Sequence, residues 1–223
     1  GESQILGQLR KSYRVAREKG RGDNTLDRCI TRAFHVAKRI RTETAVGKLA
    51  VSVPQVSVGL ASRVYGDLGG RSALLIGAGE VCSLAARSLV DSGVSRVAVA
   101  NRTRENVQAF VREYNASIHG LDEIGALLTD VDLVVSCTAS SEIILSQEMV
   151  LQALPSRRHR PLVILDLAVP RDVDPGISQM ANIYLFDIDD LNQLLERNKK
   201  QRKEAAIEAE QLIASQATAF HKR

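Results

Sequence analysis

The residues most able to do chemistry form a short turn, Gly77-Ala78-Gly79-Glu80-Val81-Cys82, set between an aliphatic run at Ser72 to Ile76 and a helical pattern beginning at Glu80. A glycine pair has chemical meaning in that setting, where a strand passes into a helix. Gly77 allows the tight turn and Gly79 removes a Cβ from the path of a pyrophosphate, so the N–H groups that open the helix face an anion. Cys82 stands where a third glycine is usual, and a small residue there still permits close strand–helix packing, so it reads as structural rather than reactive. A glycine turn that holds no ligand is the plain alternative. Some twenty residues on, where an NAD enzyme places an acid on the ribose hydroxyls, the chain reads Asn101-Arg102-Thr103. Arg102 offers a forked cation instead, and a hydrogen bond to a charged phosphate is worth about 1.5–3 kcal/mol, which favours NADP about tenfold to a few hundredfold. The competing reading is a surface arginine beside a helix cap supplied by Thr103.

Two further segments lie at the same level of the expected sheet. The run VVSCTASS at 134–141 carries Cys137, Thr138 and Ala139, small enough to let a nicotinamide ribose lie against the backbone. Cys137 has no histidine near it in sequence and nothing local to lower its pKa, so it does not read as a nucleophile. In LDLAVPRDVDP at 165–175 the prolines stiffen a loop in which Arg171 pairs with Asp172 or Asp174. That loop either closes over the cofactor or forms a rigid turn.

The elements that must hold these residues follow from periodicity. SALLI, VSRVAVA, DLVVSC, PLVILDL and NIYLF read as strands buried on both faces, with a weak strand at Ser117 to His119. Helical patterns between them at 80–92, 104–114, 122–128 and 146–154 make βαβ units, hence an α/β, doubly wound Rossmann domain over 69–189. An N-terminal helical segment precedes it. Leu26, Ile30, Ala33, Ala37 and Ile40 mark a helix over 24–41 capped by Asn24 or Thr25, and Val53 to Val64 a second with Pro54 in its first turn, with Gly69-Gly70 closing the helical part. At the other end, 190–220 keeps Ala206, Ala209, Ile213, Ala217 and Phe220 on one thin stripe that needs a partner. The partner is either the chain's own domain or a second copy.

Composition sets the outer limits. The 223 residues, 44% of them hydrophobic, suit a globular chain with one good core or two small ones. A net charge of +4 permits a polyanionic partner without predicting one. Three cysteines far apart, Cys29, Cys82 and Cys137, lack metal or redox spacing and fit a reducing compartment. No run approaches the roughly 18 apolar residues of a spanning helix, so no membrane role is expected. The chain opens on Gly1 rather than Met, which places the true N-terminus elsewhere.

Taken in order, GESQILGQ at 1–8, KRIRTET at 38–44, SVPQVSVGLA at 52–61, GAGEV at 77–81, NRT at 101–103, DLAVPRDVDP at 166–175 and YLFDIDDL at 184–191 resemble the glutamyl-tRNA reductases over nearly the whole chain. The resemblance implies an enzyme that takes glutamyl-tRNA(Glu), forms a thioester on an upstream cysteine and reduces it with NADPH to glutamate-1-semialdehyde, the first step of tetrapyrrole synthesis by the C5 route. It implies a homodimer in the cytoplasm or a plastid stroma, and admits glutamate-1-semialdehyde aminomutase as a partner. Carried over by position, Glu2, Ser3, Gln4 and Gln8 match a glutamate-binding segment, and Gly77 through Cys82 the NADP-binding turn. The domain plan becomes 1–45 as the end of the catalytic domain, 46–68 as a connecting helix, 69–189 as the NADPH domain and 190–223 as the start of dimerisation helices. Two departures stand out. The family's Ser-Thr-Cys-Asn type motif is absent, and the C-terminal region is short, so the chain reads as a fragment that binds NADPH without turning over. The alternatives are a shikimate-dehydrogenase-like NADP oxidoreductase and a non-catalytic NADPH-binding module.

Overall fold

The computed structural model describes residues 3–20, 23–47, 50, 52–103 and 107–221. The chain divides into two units, one formed by 1–50 with 196–223 and a larger one formed by 51–195. Among the described residues, no helix is long and apolar enough to cross a membrane.

The larger unit is built on a parallel sheet of β1 (Ser72–Ile76), β2 (Arg96–Ala100), β3 (Ser117–His119), β4 (Leu133–Ser136), β5 (Leu162–Asp166) and β6 (Ile183–Asp187). Their order is β3-β2-β1-β4-β5-β6. Every residue of β1, β4 and β5 is buried, as strands covered on both faces must be. Leu74, Ile76, Val134 and Ile164 meet Leu128, Val150 and Ala153 in one core cluster, to which the short α6 (Ile124–Leu127) and α7 (Gln147–Arg157) contribute. Elsewhere in the unit α3 (Val53–Tyr65) packs against α4 (Glu80–Asp91). Register sets the height of the loops: Ile76 pairs with Ala100 and with Ser136, and Ser136 with Asp166. Residues 77, 101, 137 and 167 therefore all leave the sheet at one level, with the order of the strands running outward in opposite senses from β1 and β4.

The amino-terminal edge of the sheet is held by polar groups that sequence reasoning did not single out. Tyr65 Oη lies 2.6 Å from the Asp132 carbonyl and 3.0 Å from that of Pro161. The Asp132 carboxylate accepts from the Ser72 backbone N–H at 3.0 Å and from its hydroxyl at 3.1 Å. Fully buried Arg157 donates to the carbonyls of Leu128, Val131 and Pro161, which ties the end of α7 to the sheet. Its Nε alone has no partner among the described residues.

The smaller unit contains α1 (Ser3–Glu18), α2 (Asn24–Glu43), a 3-10 turn at Ala45–Gly47 and the later part of α8 (Ile188–His221). Tyr13 donates to Asp27 at 2.8 Å and sets its ring edge-on to Phe34, joining α1 to α2. Ala205 and Ala209 of α8 pack with Val46, Ile40 and Ala45, so the thin stripe has a docking face within its own unit.

Several expected boundaries move. Asp23, in extended conformation, accepts from Leu26 N at 2.6 Å and is the cap of α2, with Asn24 already helical. Gly66, at φ +75°, ends α3 before Gly69-Gly70 is reached. The stretch 122–128 splits into a 3-10 turn at Leu121–Glu123 and α6. α5 (Gln108–Tyr114) is preceded by Val107, and the start expected for this helix, at 104 after Thr103, falls on residues outside the described ones. The segment 46–68, expected as a connecting helix, holds the end of the 3-10 turn and the 13-residue α3, which belongs to the larger unit. Residues 48, 49 and 51 of that segment lie outside the described residues.

Candidate functional site

At the carboxyl ends of β1, β2 and β4 a cleft of about 710 Å³ is lined by Gly77, Ala78, Gly79, Asn101, Arg102, Thr103, Leu121, Cys137, Thr138, Ala139, Ser140 and Ile144. This is the switch point of the sheet, where an open α/β fold leaves a crevice between loops that diverge to opposite sides.

The turn at its centre is shaped by glycine. Gly77 has φ +101°, and its N–H donates to the Ala100 carbonyl at 3.0 Å. A Cβ there would lie 2.8 Å from the Cys137 carbonyl oxygen, so the turn and the loop after β4 touch backbone to backbone. Gly79 caps α4 without a side-chain hydrogen bond, and nothing lies within 4 Å of where its Cβ would be. The first-turn amides of α4 thus have no capping side chain in their way. Behind the turn, fully buried Cys82 donates its thiol to the Gly77 carbonyl at 3.3 Å. Glu80 and Val81 begin α4 as exposed residues and, like Cys82, do not line the cleft.

On the β2 side, Asn101 Nδ2 donates to the Thr103 carbonyl at 2.8 Å, which folds the strand end over. Arg102 and Thr103 are exposed, and among the described residues Arg102 makes no ion pair. On the β4 side the cleft wall is organised by Asp172, a fully buried carboxylate that accepts from Ser136 Oγ at 2.7 Å, Thr138 N at 2.8 Å and Thr138 Oγ1 at 2.5 Å. Thr138 Oγ1 in turn accepts from Ser140 N at 3.1 Å. Nearby Asp166 accepts backbone N–H groups from Ala168, Asp172 and Val173. Burial nonetheless pushes its carboxyl up from the usual range.

The structure therefore brings together Gly77, Ala78, Gly79, Asn101, Arg102, Thr103, Thr138 and Ala139. Leu121, Ser140 and Ile144 also line the cleft, and no periodicity pointed to them, because they come from loops whose course only the fold sets. Cys137 is held by its N–H to the Ile76 carbonyl at 2.9 Å. Its thiol is pushed far up, first by a hydrogen bond with the Cys82 thiol, then by burial and by Asp172 and Asp166. That is the opposite of what a nucleophile needs. Arg171 pairs with Asp187, with Asp189 at 3.9 Å, and not with Asp172 or Asp174. Its loop does not line the cleft: the backbone carbonyl of Asp172 accepts from Ile144 N and Leu145 N at 2.7 and 3.0 Å, which is the rigid-turn outcome.

Of the residues matched to glutamate binding, Glu2 lies outside the described residues, and Ser3 and Gln4 lie in α1 with side chains outside them. Gln8 is an exposed residue of α1. Among the described residues no group of three or more His, Cys, Asp or Glu side chains is placed to hold a metal.

Comparison with known proteins divides the chain in a similar way. Residues 59–194 match the family model for shikimate / quinate 5-dehydrogenase, and residues 1–44 that for the N-terminal domain of glutamyl-tRNA(Glu) reductase. The glutamyl-tRNA reductase of Magnetococcus marinus is 43% identical over 220 residues, 99% of this chain and 52% of that protein. That of Marinobacter nauticus is 46% identical over 215 residues, 96% of this chain and 50% of that protein. The chain thus spans about half the length of the curated relatives it matches. Among solved structures, glutamyl-tRNA reductase from Methanopyrus kandleri superposes with a TM-score of 0.90 at 35% identity, over 99% of this chain and 56% of that one. The nucleotide-binding domain of the Thermoplasma volcanium enzyme, at a TM-score of 0.54 and 22% identity over 70% of this chain and 99% of that one, shares the fold.

Proposed function

This chain belongs to the glutamyl-tRNA reductase family, and from that membership we propose that its cleft binds NADPH for the reduction of glutamyl-tRNA(Glu) to glutamate-1-semialdehyde. The observation that carries the cofactor reading is Arg102: it lines the same cleft as the glycine turn, makes no ion pair among the described residues, and stands where NAD enzymes place an acid. The cradle also fits a dinucleotide. The open face at Gly79 leaves room for a pyrophosphate against the start of α4, and a cleft of about 710 Å³ is within the range of ligand sites. The reduced nicotinamide supplies a hydride when bound. The chain's own residues hold and orient: the backbone at Gly77, Ala78 and Gly79 takes the phosphates, with Glu80, Val81 and Cys82 building the helix start behind it. Asn101, Arg102 and Thr103 take the 2′-phosphate side, and Thr138 and Ala139 the nicotinamide side.

The remaining parts of the reading extend to the whole protein. Its thioester forms on a cysteine upstream of this chain, and Glu2, Ser3, Gln4 and Gln8 belong to the glutamyl pocket. The residues at 1–45 complete the catalytic domain, those at 69–189 hold the cofactor, and those at 190–223 lead into a homodimer. The enzyme works in the cytoplasm or a plastid stroma, commits glutamate to porphyrins, and meets glutamate-1-semialdehyde aminomutase. A shikimate-dehydrogenase-like activity would leave α1 and α2 without a role, and the match of residues 1–44 to the reductase N-terminal domain speaks for the reductase reading.

The test is titration of this chain with NADPH and NADH, with and without Arg102→Ala. We expect NADPH to bind more tightly by about tenfold or more and the preference to vanish in the variant. Equal binding of both cofactors by the unaltered chain would sink the role given to Arg102.

A further inference from the structure

The glycine turn and the loop after β4 lie side by side in the lining of the cleft, and Asp172 fixes the second of them from beneath. It lies outside the cleft, contributed by the loop that follows β5. Its carboxylate is fully buried and is committed to three donors, of which two belong to Thr138, the residue whose backbone and neighbours form the wall. Its backbone carbonyl holds Ile144 and Leu145 on the far side of the same loop. One residue therefore closes both ends of the segment 136–145. That segment also meets the turn directly, since the absent Cβ of Gly77 would lie 2.8 Å from Cys137 O and 3.3 Å from Thr138 Cγ2.

We infer that Asp172 is a positioning residue for the nicotinamide half of the bound dinucleotide: its carboxylate sets where the 138–140 backbone lies, without touching the cofactor. The inference rests on the dinucleotide reading of the cleft. The physical reason is charge. A buried carboxylate that accepts two or three hydrogen bonds holds its donors more tightly than a neutral acceptor, and losing one partner leaves the others in a dry site without compensation. An asparagine at this position keeps the shape but has one acceptor oxygen in place of two. It cannot satisfy Ser136 Oγ and both groups of Thr138 as the carboxylate does. Arg102, on the opposite side of the turn, shares none of these bonds.

The two halves of the cleft can be read separately. NADPH engages both, whereas 2′,5′-ADP carries the adenosine and the 2′-phosphate but no nicotinamide. Calorimetric titration of the chain and of Asp172→Asn with each probe, alongside thermal melting, separates positioning from general damage. The expected result is a loss of about tenfold in NADPH affinity with 2′,5′-ADP affinity unchanged within about twofold. Equal losses for both probes, or no loss for NADPH, overturn the inference while leaving the dinucleotide reading in place. Failure of the unaltered chain to bind either probe overturns both. Should Asp172→Asn not fold, Ser136→Ala decides, because it removes one donor from the same carboxylate at a buried position away from the cleft. A smaller loss confined to NADPH supports the inference, and an unchanged or evenly reduced pair of affinities refutes it.

Discussion

Gly77 and Gly79 sit two residues apart in one turn, yet replacing each by alanine should do opposite things. At Gly77 the backbone is at φ +101°, where an L side chain is strained by about 1–2 kcal/mol. The new methyl would also lie 2.8 Å from the Cys137 carbonyl oxygen and 3.1 Å from its carbon, both backbone atoms that cannot swing aside. Forced overpacking of that kind adds about 1–3 kcal/mol. Gly77→Ala should therefore cost about 2–5 kcal/mol, a fall of roughly 5–20 °C in melting temperature for a chain of this size. At Gly79 φ is −74° and nothing lies within 4 Å of the added carbon. Gly79→Ala should melt within about 2 °C of the unaltered chain, since substitutions away from special features stay within about 0.5 kcal/mol. Its NADPH affinity should nevertheless fall by about tenfold or more, because the methyl enters the space assigned to the pyrophosphate. The assay is differential scanning fluorimetry paired with NADPH titration on both variants. A Gly77→Ala protein that melts normally would refute the strain argument, and a Gly79→Ala protein that binds NADPH normally would remove the phosphate from the turn.

Other outcomes follow from the same geometry. Arg157→Ala should destabilise the larger unit by about 3–5 kcal/mol in urea unfolding, because the carbonyls of Leu128, Val131 and Pro161 lose their donor in a buried site; a loss under about 1 kcal/mol would show that water replaces the guanidinium there. Tyr65→Phe should cost about 0.5–1.5 kcal/mol through the lost bond to the Asp132 carbonyl. Burial, then the Asp132 charge, raises the Tyr65 phenol from 10.0 to about 12, and burial does the same at Tyr114. The neutral phenols are thus favoured in the folded state, so their contribution is complete below pH 10 and is lost as pH rises through about 12. A tyrosinate absorbance titration with an ordinary midpoint for every tyrosine would contradict this. Alkylation by iodoacetamide at mild alkaline pH should label exposed Cys29 long before Cys137, whose thiol is pushed up by Cys82 and by burial; early labelling of Cys137 would reopen its candidacy as a nucleophile.

The sequence by itself determined the parts that depend on local rules. Continuous apolar runs at SALLI and PLVILDL can only be strands covered on both faces, and their alternation with helical patterns leaves a right-handed parallel sheet. The glycines of the turn were legible for the same reason, since a positive φ and an open helix start leave a mark on residue type. Helix ends were less so: Asp23 rather than Asn24 caps α2, a choice among neighbouring residues of similar propensity that one side-chain bond makes. What only the tertiary structure decided was every pairing between residues distant in the chain. Asp172 looked like a partner for Arg171, its neighbour. It turned instead to Ser136 and Thr138, which the register of β4 against β5 brings beneath it, while Arg171 reached Asp187 at the end of β6. Arg157 showed no pattern at all, because burial of a guanidinium depends on three carbonyls, two from the loop before β4 and one from the loop before β5, converging on it. Sequence spacing encodes the period of a helix or strand, but the partners of a buried charge are chosen by which loop ends the sheet places side by side.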